Sequence, residues 1–575
     1  MPEIIIGIDL GTTNSAVAAV VDGVVRVLPV QGKLSLPSAV GIDAAGKVLV
    51  GEAARNQILV APERTILSVK RRMGEAVKIP LGSQEYSPEE ISALILRELK
   101  LAAEKELGQP VSKAVITVPA FFNEPQRKAT QAAGALAGLE VVRIINEPTA
   151  AALAYGAEGL EQENLLVYDL GGGTFDVSLV SAEAGVVEVK ASFGDTMLGG
   201  DDFDELLVEL ALAEFKQAHG VDLADQRGVR ARLKLALERA KIELTDHALT
   251  TVREEFLDGT HHLNFEITRS AYEAKITPLL TKTLECVRQT LSSAGVMTSR
   301  LEKIMLVGGG SRTPSVHRLL ETVTGIAPSW SIDPDLIVAM GAAVQGAILS
   351  GAEHQAILVD ITSHTYSVVV FDPQEGTTVC SPVIPRGTPL PSVRSEAYGT
   401  IVDNQSQVMV SIYQGESRWE EENIQLGQFL IEDIAQGPGG QIFLFRMSLD
   451  QDGLLSVTAT ERSTGMARSL KVDTKGAEVL DFVAAQQQLR ALLGEDDVVE
   501  GEKEEAGEVS AAVLEQAKLL RQRAEALMAK GIGTEDETEI RSLLTAIKAA
   551  IAQQDGGLLE SKTNALSDIL FYLED

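Results

Sequence analysis

The chain has 575 residues, too many for one hydrophobic core and enough for about three domains of ordinary size. It is 45% hydrophobic with only 20 prolines, the balance of a folded chain, and its 82 acidic against 50 basic residues leave a formal charge of −32. That sign disfavours nonspecific binding to nucleic acid or anionic lipid, both of which need basic surface.

Strand-like residues begin at Ile4, leaving no room for the charged and apolar regions of a signal peptide. No apolar run approaches the ~18 residues that span a bilayer. A cytoplasmic protein with neither a membrane nor a nucleic-acid partner is the expectation. Cys286 and Cys380 fall on either side of an expected domain boundary and read as free thiols.

The first apolar run, Ile4–Ile8, ends at Asp9 and turns through Gly11, Thr12, Thr13 and Asn14 into a second apolar stretch, the pattern of a β-hairpin with a glycine tip. A basic cluster, Val69-Lys-Arg-Arg-Met-Gly74, follows and reads by composition as a solvated face. Helical periodicity is expected over 88–107, 124–137, 203–219, 228–244 and 269–294, alternating with strands as in an α/β architecture. In Asn146-Glu-Pro-Thr-Ala-Ala151, Pro148 can start a helix, and Glu147 is a carboxylate favoured by the dipole at that start.

The hairpin pattern recurs at Tyr168-Asp-Leu-Gly-Gly-Gly-Thr-Phe-Asp176, with Asp169 before Gly171, Gly172, Gly173 and Thr174. One copy alone would be an ordinary turn; two in matching strand contexts read as a duplicated unit whose halves face each other. Tips without Cβ atoms let N–H groups approach phosphate oxygens, and the aspartate before each turn can hold a divalent cation through its water. A further glycine turn, with Gly199 and Gly200, precedes the helix from 203. Glu238 and Lys241 share a helix face, as an ordinary surface pair would. His261 and His262 lack further ligands at zinc spacing and are expected in solvent near a hairpin. A third loop, Gly308-Gly-Gly-Ser-Arg312, joins a strand to a helix start, where N–H groups and the dipole can hold a nucleotide.

Composition shifts after Ser350-Gly351. Ala356-Ile-Leu-Val-Asp360 is either an apolar linker that docks in one state and is released in another, or the first strand of the next domain. From 362 to 472 short alternating strands with frequent turn signals suggest an antiparallel β-sandwich. Helices are expected at 481–493, 510–530, 534–553 and 558–573, the third opened by a capping box of Thr534 and Glu537. Between the first two lies a solvated acidic linker, 495–508.

These loops, with Ile144–Tyr155 and Val118–Thr130, resemble the seventy-kilodalton heat-shock chaperone family, DnaK type, from about Ile4 to about Arg468. The short C-terminal part is more similar to its compact bacterial branch called HscC. The resemblance implies an actin-like duplicated ATPase domain (1–352), an apolar linker (353–361), a β-sandwich peptide-binding domain (362–475) and a short helical lid (476–575). ATP or ADP with Mg²⁺, and K⁺ as a further cation, would occupy the interlobe cleft. Asp9 and Asp169 would hold the metal through water, and Lys70, Glu147 and Thr174 would serve hydrolysis. The turn at Gly199 and Gly200 would lie beside the phosphates, Glu238, Lys241 and Thr245 would meet ribose and adenine, Ser311 and Arg312 would follow the third loop with Arg312 over the base, and Asp335 would close the pocket. Pro119, Arg127, Arg143 and Asp360 match the family's interdomain relay. Val368, Val408 and Val410 match the floor of the peptide pocket.

The chain departs from the family at His364 and Tyr366, where leucines line or support the groove, and at Phe371 and Ile401, which replace the arch methionine and alanine. A shifted peptide preference and, from the short lid, fast peptide exchange are expected. Extended client segments and a J-domain cochaperone are the implied partners, with the exchange factor left open. Three rivals stand beside this reading: a small-molecule kinase of the same fold, a filament-forming actin relative, and a family member that binds ATP without hydrolysing it.

Overall fold

The computed structural model describes residues 4–156, 163–183, 185–330, 332–351, 357–432, 434, 436–461, 467–471 and 481–494, then 534–553 with scattered positions between 518 and 566. It divides into two compact units, Met1–Leu493 and Gly494–Asp575.

Two related sheets organise the first unit. In one, the hairpin Ile5–Asp9 and Asn14–Val21 is flanked by the parallel strands Lys113–Val118 and Glu140–Asn146. In the other, the hairpin Glu163–Leu170 and Phe175–Glu183 pairs in parallel with Lys303–Val307 and continues through Val186–Asp195. Each hairpin therefore carries its glycine tip at the same end of an equivalent sheet, as the repeated motif requires. The expected helices run Pro88–Leu107, Glu124–Leu136, Gly200–His219, Arg227–Asp246 and Arg269–Ser293. Pro88–Leu107 begins with a complete capping box, Ser87 and Glu90 each bonding the other's backbone N–H.

Between the sheets, helices Glu147–Gly156 and Ile337–Leu349 cross at very short range. Small residues make this possible: a Cβ at Gly341 would lie 1.7 Å from the Ala150 carbonyl oxygen, and one at Gly7 would lie 2.0 Å from the Ala343 nitrogen. The interleaved alanines Ala150, Ala151, Ala342 and Ala343 are wholly buried.

The segment Ile357–Val359 forms a strand, hydrogen-bonded in parallel to Val186–Glu188 at the edge of the second sheet. After it come two four-stranded antiparallel sheets. They close on a shared core of Tyr366, Val368, Val410, Ile412, Phe445 and Met447 among others. The helix Phe482–Leu493, the first of those expected in a lid, seats Ala485 and Leu489 in the core of the first lobe, and Gln488 Nε2 donates to the Glu85 carbonyl at 2.9 Å.

In the second unit the helix Thr534–Gln553 buries Ile540, Leu544, Ile547 and Ala550, one helical face. It begins at Thr534 itself, so the residue expected as N-cap is already helical. The acidic stretch 495–508 lies outside the described residues, and the helices expected at 510–530 and 558–573 lie largely outside them. Among the described residues no helix is long and apolar enough to cross a membrane.

Gly341→Ala forces a methyl group into backbone and should cost about 1–3 kcal/mol, as overpacked cores do. Urea unfolding of the full chain should show a lowered first midpoint; a midpoint equal to the parent's would mean that the two helices do not touch.

Candidate functional site

The two hairpin tips and the third glycine loop converge on one cavity of about 920 Å³. It is lined by Asp9, Gly11, Thr12, Thr13 and Asn14 from the first tip, and by Asp169, Gly171, Gly172 and Thr174 from the second. Gly200, Glu238, Lys241 and Thr245 line it from the helices of the second lobe, and Gly308, Gly309, Gly310, Arg312 and Asp335 from the third loop and the turn beyond.

Three residues expected at the ligand stand behind this wall. Gly173 backs onto the Thr12 side chain, and its carbonyl accepts a bond from Arg71 Nε at 3.1 Å. Gly199 lies against the Gly172 backbone, with a built Cβ only 2.5 Å from its carbonyl carbon. Ser311 is buried and donates its hydroxyl to the Gly308 carbonyl at 2.6 Å. Each shapes a loop that others present.

Lys70 is not a solvated residue. It sits in a short 3₁₀ turn, Val69–Arg72, is buried, and donates from Nζ to Glu147 Oε1 at 2.6 Å. Around this pair stand three further carboxyls, Asp169 and Asp176 buried and Asp9 half-buried. Asp9 accepts from Thr117 Oγ1 at 3.1 Å, and Asp176 accepts from the N–H groups of Ala120 and Phe121 at 3.1 and 3.2 Å. Burial pushes Asp9 up to about 7, with the Glu147 charge adding to the effect and Lys70 opposing it. Burial and Glu147 likewise raise Asp176 to about 7 and Asp169 well above the usual carboxylate range. Burial also penalises the Lys70 ammonium, yet the charges of Glu147 and Asp9 outweigh it and keep the amine protonated.

One buried ammonium thus faces three buried acids and the half-buried Asp9, a shortage of positive charge that a divalent cation fits. Among the described residues no three ligating side chains converge on one point.

At the other end of the cavity, Glu238 and Lys241 do not pair with each other. Glu238 meets Arg55 of the first lobe at 2.5 Å, and Lys241 donates to the Gly200 carbonyl and Asp204 at 3.1 and 2.8 Å. The Glu238 contact joins Ser68–Asp201 and Arg71–Asp202 in tying the lobes across the cleft. Arg312 donates to Asp333 and Asp335 at 2.6 and 2.9 Å. His261, half-buried, bonds Asp258 at 2.7 Å and stacks on His219, while His262 is exposed.

Of the expected relay residues, Asp360 and Arg127 share one partner, Asn146, and Arg143 reaches the sandwich separately. Asp360 is buried, and burial raises its carboxyl, which accepts from Asn146 Nδ2 at 2.8 Å and Thr149 Oγ1 at 3.2 Å. Arg127 reaches the same Asn146 at 2.6 Å and the Ala120 carbonyl at 3.3 Å. The Pro119 carbonyl accepts from the Phe122 N–H in that turn. Arg143 pairs with Asp452 of the sandwich at 3.2 Å.

Sequence reasoning missed two members of this joint. Asp176 ties the second hairpin to Ala120 and Phe121, and Glu124 accepts from the Leu455 N–H at 3.0 Å. Asp176 closes the repeated motif itself, a signal that was present but given no role.

The five residues expected at a peptide pocket divide. Val368 and Val410 are buried in the sandwich core, Val408 is half-buried, and Phe371 and Ile401 are exposed by 40% and 61%. His364, expected near the groove, instead donates from Nε2 to the Phe121 carbonyl at 3.0 Å and packs edge-on against that ring. Tyr366 is buried, accepting from Gln414 Nε2 at 3.1 Å.

The raised carboxyls make binding proton-linked. A cation entering the site draws Asp9 and Asp176 back toward ordinary values, so protons leave. The release should be largest between about pH 5 and 7 and fade above pH 8. Because the folded chain holds these protons more tightly than the unfolded one, the empty site should also lose stability as pH rises from about 4 through 7. Calorimetry of Mg·ADP binding at pH 6.5 in two buffers of different ionisation enthalpy should detect the release, less in Asp9→Asn; heats independent of buffer would contradict it.

The Hsp70 protein family model matches residues 5–573. The chaperone protein DnaK of Thermotoga petrophila and that of Thermotoga maritima are each 44% identical over 484 residues, 82% of this chain and 80% of theirs. The DnaK of Thermotoga neapolitana is 44% identical over 485 residues. A match that runs from the first hairpin almost to the last residue, over glycine loops that meet at one charged cleft, means that the chain belongs to the Hsp70 family.

Proposed function

We propose that the cleft hydrolyses ATP with Mg²⁺, and with K⁺ as a further cation, and that the linker strand carries the nucleotide state to a peptide site in the sandwich. The protein is an ATP-dependent chaperone by family; the residue roles and partners named next are the proposal. The observation that carries it is the buried Lys70–Glu147 pair set between both hairpin tips.

When bound, the hydrated metal would neutralise phosphate charge. Lys70, kept protonated by its acidic neighbours, cannot act as a base. Its Nζ can donate to the terminal phosphate as charge gathers there and to the attacking water. Glu147 fixes the ammonium at 2.6 Å and supplies a carboxylate to orient that water. Asp9 and Asp169 would hold the metal through its waters, and Thr174 lines the same cavity. Backbone N–H groups of the three glycine loops cradle the phosphates.

The path from there to the sandwich is supported by the shared contacts of Asn146. It immediately precedes Glu147 in the chain, and its side chain bonds both Arg127 and Asp360. Extended client segments, a J-domain cochaperone and a cytoplasmic setting complete the reading. Phe371 and Ile401, the exposed members of the expected pocket, are proposed to meet peptide, with Val368, Val408 and Val410 shaping the strands beneath. A kinase reading has no support in the family match and gives no role to the sandwich.

Lys70→Ala should slow single-turnover hydrolysis by about 10²–10³-fold while ADP binding measured by calorimetry is retained. Hydrolysis at the parent's rate would return Lys70 to a structural role. Asp360→Asn and Arg143→Ala should keep basal hydrolysis but lose most of its stimulation by peptide; full stimulation in both variants would refute the path.

A further inference from the structure

The end of the cavity away from the hairpin tips carries an aromatic group that no sequence motif announces. Trp330 lines the wall there, with 41% of its surface exposed. A large, half-open indole on a cavity wall is either incidental surface or one side of a contact awaiting its partner.

Three observations favour a contact. The backbone just before it is pinned, because Ser329 N–H donates to the Ile304 carbonyl at 3.0 Å and its carbonyl accepts from Leu306 N–H at 3.2 Å. The ring is held edge-on by His317 at a centroid distance of 5.1 Å. The Arg312 guanidinium lies 5.7 Å from the ring centroid and is itself fixed by Asp333 and Asp335. His317 is half-buried, and burial lowers its imidazole below the usual range, so near pH 7 it packs as a neutral ring.

The cavity thus has one end of buried acids and glycine loops, suited to phosphates and a cation, and another end walled by a flat apolar ring beside a fixed guanidinium. Only the second suits a planar heteroaromatic base, which gains from stacking on both indole and guanidinium faces.

We propose that Trp330 is a base-contacting residue that, positioned by His317 and with Arg312, slows release of the bound nucleotide. This rests on the reading of the cavity as an ATP site. Because stacking recognises a π-face and not a hydrogen-bond pattern, its effect falls on dwell time and leaves the hydrolytic groups at the opposite end untouched.

The chain has two tryptophans, so Trp419→Phe leaves Trp330 as its single indole reporter. In that background, emission should change on ADP titration and saturate where calorimetry saturates. Trp330→Ala should release a fluorescent ADP analogue on the order of tenfold faster, and Trp330→Phe should restore most of the dwell time. Release from Trp330→Ala within twofold of the parent overturns the proposal, whatever the emission does. If the unsubstituted chain shows no calorimetric ADP binding, the ATP reading of the cavity fails and the proposal goes with it.

Discussion

The structure depends on a deficit of positive charge held out of water. Three buried carboxyls and the half-buried Asp9 crowd one buried ammonium where the two hairpins meet, and burial makes every unbalanced charge expensive. The chain tolerates this by raising the affinity of its acids for protons and by giving Asp9 and Asp176 hydroxyl and backbone N–H donors. Such a cluster is poorly arranged for its own stability and well arranged to accept a cation and a polyanion together. The duplicated sheets and the close crossing of two alanine-rich helices hold the two halves of the cluster in register.

Much of the scaffold was legible because its signals are local. Alternating apolar residues, glycine tips and caps named both hairpins, and several helix bounds fell within a few residues, as with Pro88–Leu107. The repetition of the Asp-Leu-Gly turn pointed to two facing halves before any distance was known.

What stayed hidden was decided by which element packs on which. Gly173, Gly199 and Ser311 belong to phosphate-loop motifs, yet backbone crowding and a turn hydrogen bond place them behind the cavity wall. Trp330 stands outside every motif and reaches the cavity through an extra bridge to the strand Lys303–Val307. His364 could be read as a departure from a pattern, but no local rule says that its ring meets Phe121 of the other domain. Glu124 was similarly silent, since the Leu455 N–H that it accepts from belongs to a distant strand.

The short strand Ile357–Val359 occupies the margin of the second sheet, and its departure would leave the main chain of Val186–Glu188 without partners along that side. Bare sheet margins recruit foreign strands and seed aggregation. Glu188 and Lys190, ion-paired with each other on that strand, put opposite charges along the rim. Charged side chains on an edge discourage such pairing, and this margin carries both signs.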